Sequence, residues 1–229
     1  AGIGGGAVTP YDVFVGAYNT RAVPEALVEG LGSVWSVTNG YHKVFACCGY
    51  AHSAIEATLE LLGRMKKKKE EITEIVVETA PGGQALRTVE PETVLAAKFS
   101  LPHAIAATVQ LGTAGARAFT DDKLRDEGIS KLRERVRLTP YGDLKPWPND
   151  RPARVTLRFD DGAEMSAVCE SARGGADNPF DEPTLLSKLA ENAGSVFPAA
   201  PDTMKKVIAG DAGLLARPWR EALAGMVKP

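Results

Sequence analysis

From Ala153 to Ser171 the chain reads A-R-V-T-L-R-F-D-D-G-A-E-M-S-A-V-C-E-S: two runs that alternate at period two around Asp160-Asp161-Gly162. Successive side chains of a strand point to opposite faces, so this alternation specifies a sheet with one face in the core and one in water. An Asp-Gly step between two such runs is a strong hairpin signal. The hairpin commits this part of the chain to antiparallel pairing, and the other elements must pack against it.

Ile72 to Thr79 is a further strand by its β-branched alternation, ended by Pro81-Gly82-Gly83, and Val136 to Thr139 is a short one. Ser53 to about Lys68 predicts a helix, with Ser53 as N-cap and Glu56 completing a capping box. The run Lys66 to Lys69 at its C-terminal end suits the helix dipole. Pro91 is expected to open a helical turn, Leu101 to Leu111 to form an amphipathic helix, and Asp121 to Arg135 an exposed helix or two. Three more helices are expected over Glu182 to Asn192, Pro201 to Ala209 and Arg217 to Met226. Near the start, Pro24 to Leu31 suggests a short helix and Trp35 to Val37 a strand end. Strands and helices do not alternate regularly, which disfavours a doubly wound parallel sheet. The expected class is α+β: a small antiparallel sheet with helices packed on it.

The 229 residues are 44% hydrophobic and 24% charged, enough for one large domain or two small ones. A net charge of -2 argues against broad nucleic-acid or anionic-membrane binding. No apolar run approaches the ~20 residues of a transmembrane helix. Cys47, Cys48 and Cys169 are an odd set with two neighbours, which suggests reduced thiols and a cytoplasmic setting. With His42, His52 and His103 as the only histidines and no Cys-x-x-Cys spacing, a zinc site is not expected. Neither a dinucleotide-binding nor a Walker-type glycine motif is present, so no cofactor is expected.

Reactive side chains gather in K-V-F-A-C-C-G-Y-A-H-S-A-I-E, residues 43–56. They stand just before a helix N-terminus, where unpaired N–H groups and the dipole favour anions. A second segment, V-L-A-A-K-F-S-L-P-H-A-I-A-A, places Lys98 and His103 among apolar residues. Burying a charge unpaired is costly. Taken singly, Lys98 is better read as snorkelling to the surface and His103 as a hydrogen-bonded core residue; two such segments in one chain tilt the balance toward a site. A cationic lysine can hold a carboxylate, and a histidine near neutral pKa can shuttle a proton. Cys47 and Cys48 are nucleophile candidates only if the helix end lowers their pKa, and structural thiols are the stronger reading. Tyr50 and Ser53 can donate hydrogen bonds to a carboxylate, although packing and helix capping are their ordinary roles.

Four pieces stand in one order: H-K-V-F-A-C-C-G-Y-A-H-S-A-I-E-A, K-F-S-L-P-H-A-I-A-A, R-V-T-L-R-F-D-D-G-A-E and D-N-P-F. Together they resemble the MmgE/PrpD family, which includes 2-methylcitrate dehydratase, cis-aconitate decarboxylase and iminodisuccinate epimerase. The resemblance implies a lid domain of α+β type over residues 41–180. Residues 1–40 would be a remnant of the family's all-helical domain and a linker, and residues 181–229 C-terminal helices of that domain. It implies a cofactor-independent lyase or isomerase acting on a small di- or tricarboxylate, with 2-methylcitrate dehydration as first choice. Lys43 falls on the family lysine that points into the active site, His52 on the histidine that begins the following helix, and His103 where members commonly have Tyr or His; the resemblance makes these three the catalytic candidates. Cys47 and Cys48 would line the same pocket, and Lys98 matches a recurrent position. Full-length members carry an N-terminal helical domain with acidic and histidine residues implicated in catalysis, which this chain does not match. A helical-domain partner chain or a homodimer is therefore expected, and the alternative reading is a non-catalytic lid module.

Overall fold

The computed structural model describes residues 25, 28–35, 37, 40–146 and 149–227. The chain divides after Gly40 into two units, residues 1–40 and 41–229. In the first, most of the Pro24 to Leu31 segment read as a helix is described, and residues 28–33 form turns instead. Gly30 and Gly32 there have φ of 72° and 82°, a left-handed conformation that interrupts a right-handed helix. Trp35 and Val37 are not in a strand, and Ser36 lies outside the described residues.

The second unit holds a four-stranded sheet, β1 (Ile72–Thr79), β2 (Val136–Pro140), β3 (Ala153–Phe159) and β4 (Glu164–Cys169), in the order β2-β1-β3-β4. β3 and β4 form the expected hairpin, with Gly162 at φ 81° in its turn. The sheet is mixed rather than antiparallel throughout, because β1 and β2 run parallel, from Ile75↔Val136 to Thr79↔Pro140. The long helical connection between them permits this, since a parallel pair needs a crossover of a dozen or more residues. β1 and β3 are antiparallel, with Thr79 paired to Ala153.

That connection contains α2 (Pro81–Gln84), α3 (Val94–Lys98), α4 (Leu101–Leu111), α5 (Asp121–Leu124) and α6 (Glu127–Glu134), and α1 (His52–Arg64) precedes the sheet. Ile72, Ile75 and Val77 of β1 and Val155 and Leu157 of β3 face a single core, with Ile55 and Leu61 of α1, Leu101 and Ile105 of α4, and Ile129 of α6. The opposite sheet face is a ladder of ion pairs: Arg154 to Glu78 at 2.9 Å, and Arg158 to Glu74 and Glu164 at 2.7 Å each. The period-two alternation is thus spent as one apolar and one charged face.

Several element ends differ from expectation. α1 begins at His52, one residue early, so Ser53 lies inside its first turn and makes no cap, and Glu56 instead accepts from the Arg173 backbone N–H at 3.0 Å. The helix stops at Arg64, with Met65 extended, so the lysine run lies beyond it. There Lys67 ion-pairs with Asp161 of the hairpin turn. Pro81-Gly82-Gly83 does not simply end the strand; Pro81 opens the short turn α2. Pro91 opens no helix: α3 starts at Val94 because the Thr93 hydroxyl accepts from Ala96 N–H at 3.1 Å. α4 has its expected bounds, capped by Ser100 and closed by Gly112 at φ 70°. Residues 121–135 form α5 and α6, and α6 is not simply exposed, since Ile129, Leu132 and Arg133 are buried.

The C-terminal helices are α7 (Glu182–Ala193), α8 (Ala200–Ile208), a short α9 (Ala212–Leu215) and α10 (Trp219–Val227). Among the described residues, no helix is long and apolar enough to cross a membrane.

Candidate functional site

The Lys43–Cys48 loop is pinned by backbone hydrogen bonds from Ala46 N–H to Ala114 O at 3.0 Å and from Cys48 N–H to Lys98 O at 2.9 Å. These draw the segment carrying Lys43 onto the C-terminus of α3, where Lys98 ends its helix. A cleft of about 330 Å³ results, lined by Lys43, Phe45, Cys47, Cys48, Lys98 and Phe99. Lys43 Nζ donates to the Cys47 carbonyl at 3.3 Å, which holds the ammonium over the loop with donors to spare.

His52 stands behind this wall. It is 1% exposed, and its ring meets Phe45 edge-on at 5.2 Å and Tyr41 at 6.2 Å between centroids. The Cys47 backbone lies close enough to favour the charged ring slightly. Even so, neither ring nitrogen reaches hydrogen-bond geometry with any group among the described residues. Burial, and then the positive charge of Lys43, push the imidazole down to about 4, with Lys188 and Arg151 adding to the effect. The ring is therefore neutral at physiological pH. A buried polar atom left unpaired costs ~1–3 kcal/mol, so both nitrogens of His52 call for an explanation.

The fold does not bring His103 into this cleft. It is fully buried between α4 and α6, where Nδ1 accepts from Arg133 at 3.2 Å and Nε2 meets the Ala118 carbonyl at 2.9 Å. That places its proton on Nε2 and leaves no nitrogen free. Burial lowers its pKa, and Arg133 adds to that.

Cys47 lines the cleft, but burial, and next the neighbouring Cys48, push its thiol up to about 12. The Lys43 charge opposes this without overcoming it, and Cys47 is a poor thiolate. Cys48 lines the same cleft and Tyr50 is 40% exposed beside it in sequence. Ser53 is buried away from solvent against Cys169, whose own thiol is raised to about 12 by burial and by Glu56.

One group that the sequence did not single out arrives through the sheet. Thr79 pairs with Ala153, so the residue two positions before Ala153, Arg151, lies beside α2. The Tyr50 ring lies on Gly82 of α2, where a Cβ would stand 2.5 Å from Tyr50 Cε1. The Arg151 guanidinium sits 5.3 Å from the Tyr50 ring and 5.5 Å from that of Tyr41. A Cβ on Gly49 would be 3.6 Å from Arg151 Nη1 and 3.9 Å from Lys43 Cε, so the two cations flank one glycine. Lys188 of α7 adds a third cation, its Nζ donating to the Val44 carbonyl at 3.2 Å. The positive field around the loop suits an anion. Among the described residues, no group of three or more His, Cys, Asp and Glu could hold a metal ion.

The chain is similar to two cis-aconitate decarboxylases, from Aspergillus terreus and from Aspergillus terreus strain NIH 2624 / FGSC A1156. They are 25% and 26% identical to it over 184 residues, which is 75% of this chain and 37% of each relative. The chain thus spans little more than a third of the length of the curated relatives it matches. The family model of the MmgE/PrpD C-terminal domain matches residues 45–212. That range takes in the cleft loop from Phe45 onward, the whole sheet and the helices through the start of α9, and the chain belongs to the MmgE/PrpD family.

Proposed function

We propose that this chain forms one wall of the active site of a cofactor-independent lyase or isomerase acting on a small di- or tricarboxylate. The observation that carries the reading is the cleft at Lys43, with Lys98 in its wall and Arg151 beside it, in a member of the MmgE/PrpD family. Lys43 would hold a carboxylate and stabilise the enolate-like charge that develops next to it. His52 is the better of the two histidines for moving the proton: it is neutral and unpaired, and it packs against the cleft wall. His103 was a catalytic candidate on sequence, and its two filled hydrogen bonds favour a structural part instead. Lys98 and Cys48 would shape the pocket; Tyr50, against Gly82 and Arg151, would act only through Arg151, and Ser53, turned toward Cys169, would not shape it.

Decarboxylation, dehydration and epimerisation all pass through a carbanion-like state of this kind. The named relatives are cis-aconitate decarboxylases. Their name makes cis-aconitate the first substrate to test, ahead of 2-methylcitrate. A cytoplasmic location suits three unpaired thiols. The test is an assay of the purified chain on both substrates, alone and with an all-helical partner domain of the family. Turnover in at least one combination is expected, and its absence in every combination would overturn the proposal.

A second reading rests on a specific observation. Ile208, Leu215, Trp219 and Val227 on α8 to α10 are each more than half exposed. Large apolar residues left exposed on successive helices are candidates for an interaction surface. A lid module that binds a partner chain or dimerises through these helices, without catalysis of its own, accounts for them.

A further inference from the structure

Arg151 offers five N–H donors, and its side chain uses none of them in a hydrogen bond among the described residues. Its contacts are two tyrosine rings and Asp150, whose Oδ1 lies 3.5 Å from Nε without hydrogen-bond geometry. The two ring contacts hold the guanidinium in place and leave Nη1 and Nη2 without a hydrogen-bond partner among the described residues. A planar guanidinium fork matches a carboxylate, which it binds through two parallel N–H···O bonds. With the side chain about a third exposed, the fork remains within reach of a ligand. The point a Gly49 Cβ would occupy lies 3.6 Å from Arg151 Nη1 and 3.9 Å from Lys43 Cε, so a molecule held at Lys43 has a second cation close by at the edge of the cleft.

We propose that Arg151 is a second carboxylate receptor, one that makes the Lys43 cleft select polycarboxylates over monocarboxylates. The inference rests on the carboxylate reading of that cleft. Tyr41 and Tyr50 hold the guanidinium, Asp150 lies at its buried Nε, and the ligand carboxylate takes Nη1 and Nη2.

The test is an NMR titration of the whole chain with propane-1,2,3-tricarboxylate, butyrate and inorganic phosphate, using wild type, Arg151→Met, Arg151→Lys and Lys43→Ala. Arg151→Met keeps the stem between the rings, and an unchanged melting temperature confirms its fold. The expected result is tricarboxylate binding roughly 10- to 100-fold weaker in Arg151→Met, an intermediate loss in Arg151→Lys, and unchanged butyrate binding in both. Lys43→Ala should weaken both ligands. Wild-type affinity for the tricarboxylate in Arg151→Met, alongside a loss in Lys43→Ala, would overturn the role of Arg151 and leave the carboxylate cleft standing. Phosphate competing as well as the tricarboxylate in an Arg151-dependent way would overturn the selectivity. No tricarboxylate binding by wild type would overturn both readings.

Discussion

At the residue scale, Lys43 and His52 answer different questions. Lys43 is a charge-stabilising donor. Lys43→Ala in an active assembly should lower kcat roughly 10²- to 10³-fold, as loss of one such donor does; unchanged steady-state kinetics would remove it from the site. His52 is a buried base held neutral. Its folded pKa, about 4, lies below the ordinary 6.5, so the unfolded chain binds the extra proton first. Its contribution to stability is therefore complete above pH 6.5 and is lost as the pH falls toward 4. The loss amounts to on the order of 3 kcal/mol at its fullest. Urea melts between those pH values should show this slope, and His52→Phe should flatten it. A carboxylate bound beside Lys43 should also raise the His52 pKa, which imidazole chemical shifts would report. Cys47 was legible only as an ambiguous thiol, because a side chain's burial is not written in its neighbours. Its raised pKa predicts that folded Cys47 alkylates far more slowly at pH 8 than the unfolded chain, and that Cys47→Ser changes turnover little.

At the element scale, local signals placed the helix and strand bodies well and some ends badly. α4 has the bounds its pattern predicts, since Ser100 and Gly112 act within one turn of it. α1 does not. The Ser53–Glu56 spacing matches a capping box, yet Glu56 accepts from Arg173, far along the chain, and the cap is lost. Ser100→Ala should cost about 1 kcal/mol in a chemical melt, because its hydroxyl accepts from His103 N–H at 3.0 Å. Ser53→Ala should cost less, since it caps nothing. Gly174 carries more than its sequence suggests: φ is 116°, and a Cβ would stand 2.1 Å from the His42 carbonyl. Gly174→Ala should destabilise by at least ~1–3 kcal/mol, with the same melts as the check. The hairpin was readable from Asp160-Asp161-Gly162 and the parallel partner of β1 was not, because hairpin pairing is local and the β2 pairing crosses five helices.

At the scale of the whole molecule, the core joins the sheet to one layer of helices, while α8 to α10 keep large apolar residues in water. An apolar groove of about 370 Å³ lies between α7 and α8, lined by Leu185, Leu186, Leu189, Met204 and Ile208. The partner reading predicts concentration-dependent association in analytical ultracentrifugation, and Ile208→Glu with Trp219→Glu should shift the chain toward the monomer. An unchanged sedimentation profile would turn the partner reading away from these helices. The sequence by itself determined the α+β class, the hairpin and the gathering of Lys43, the two cysteines and His52 in one segment, because periodicity, turn chemistry and proximity along the chain are local properties. Only the tertiary structure decided that Lys98 joins Lys43 in one cleft, that His103 is turned to Arg133 and away from it, and that Arg151 meets Lys43 beside Gly49. Those placements follow from loop hydrogen bonds and from the pairing of Thr79 with Ala153, contacts between residues whose separation along the chain leaves no pattern to read.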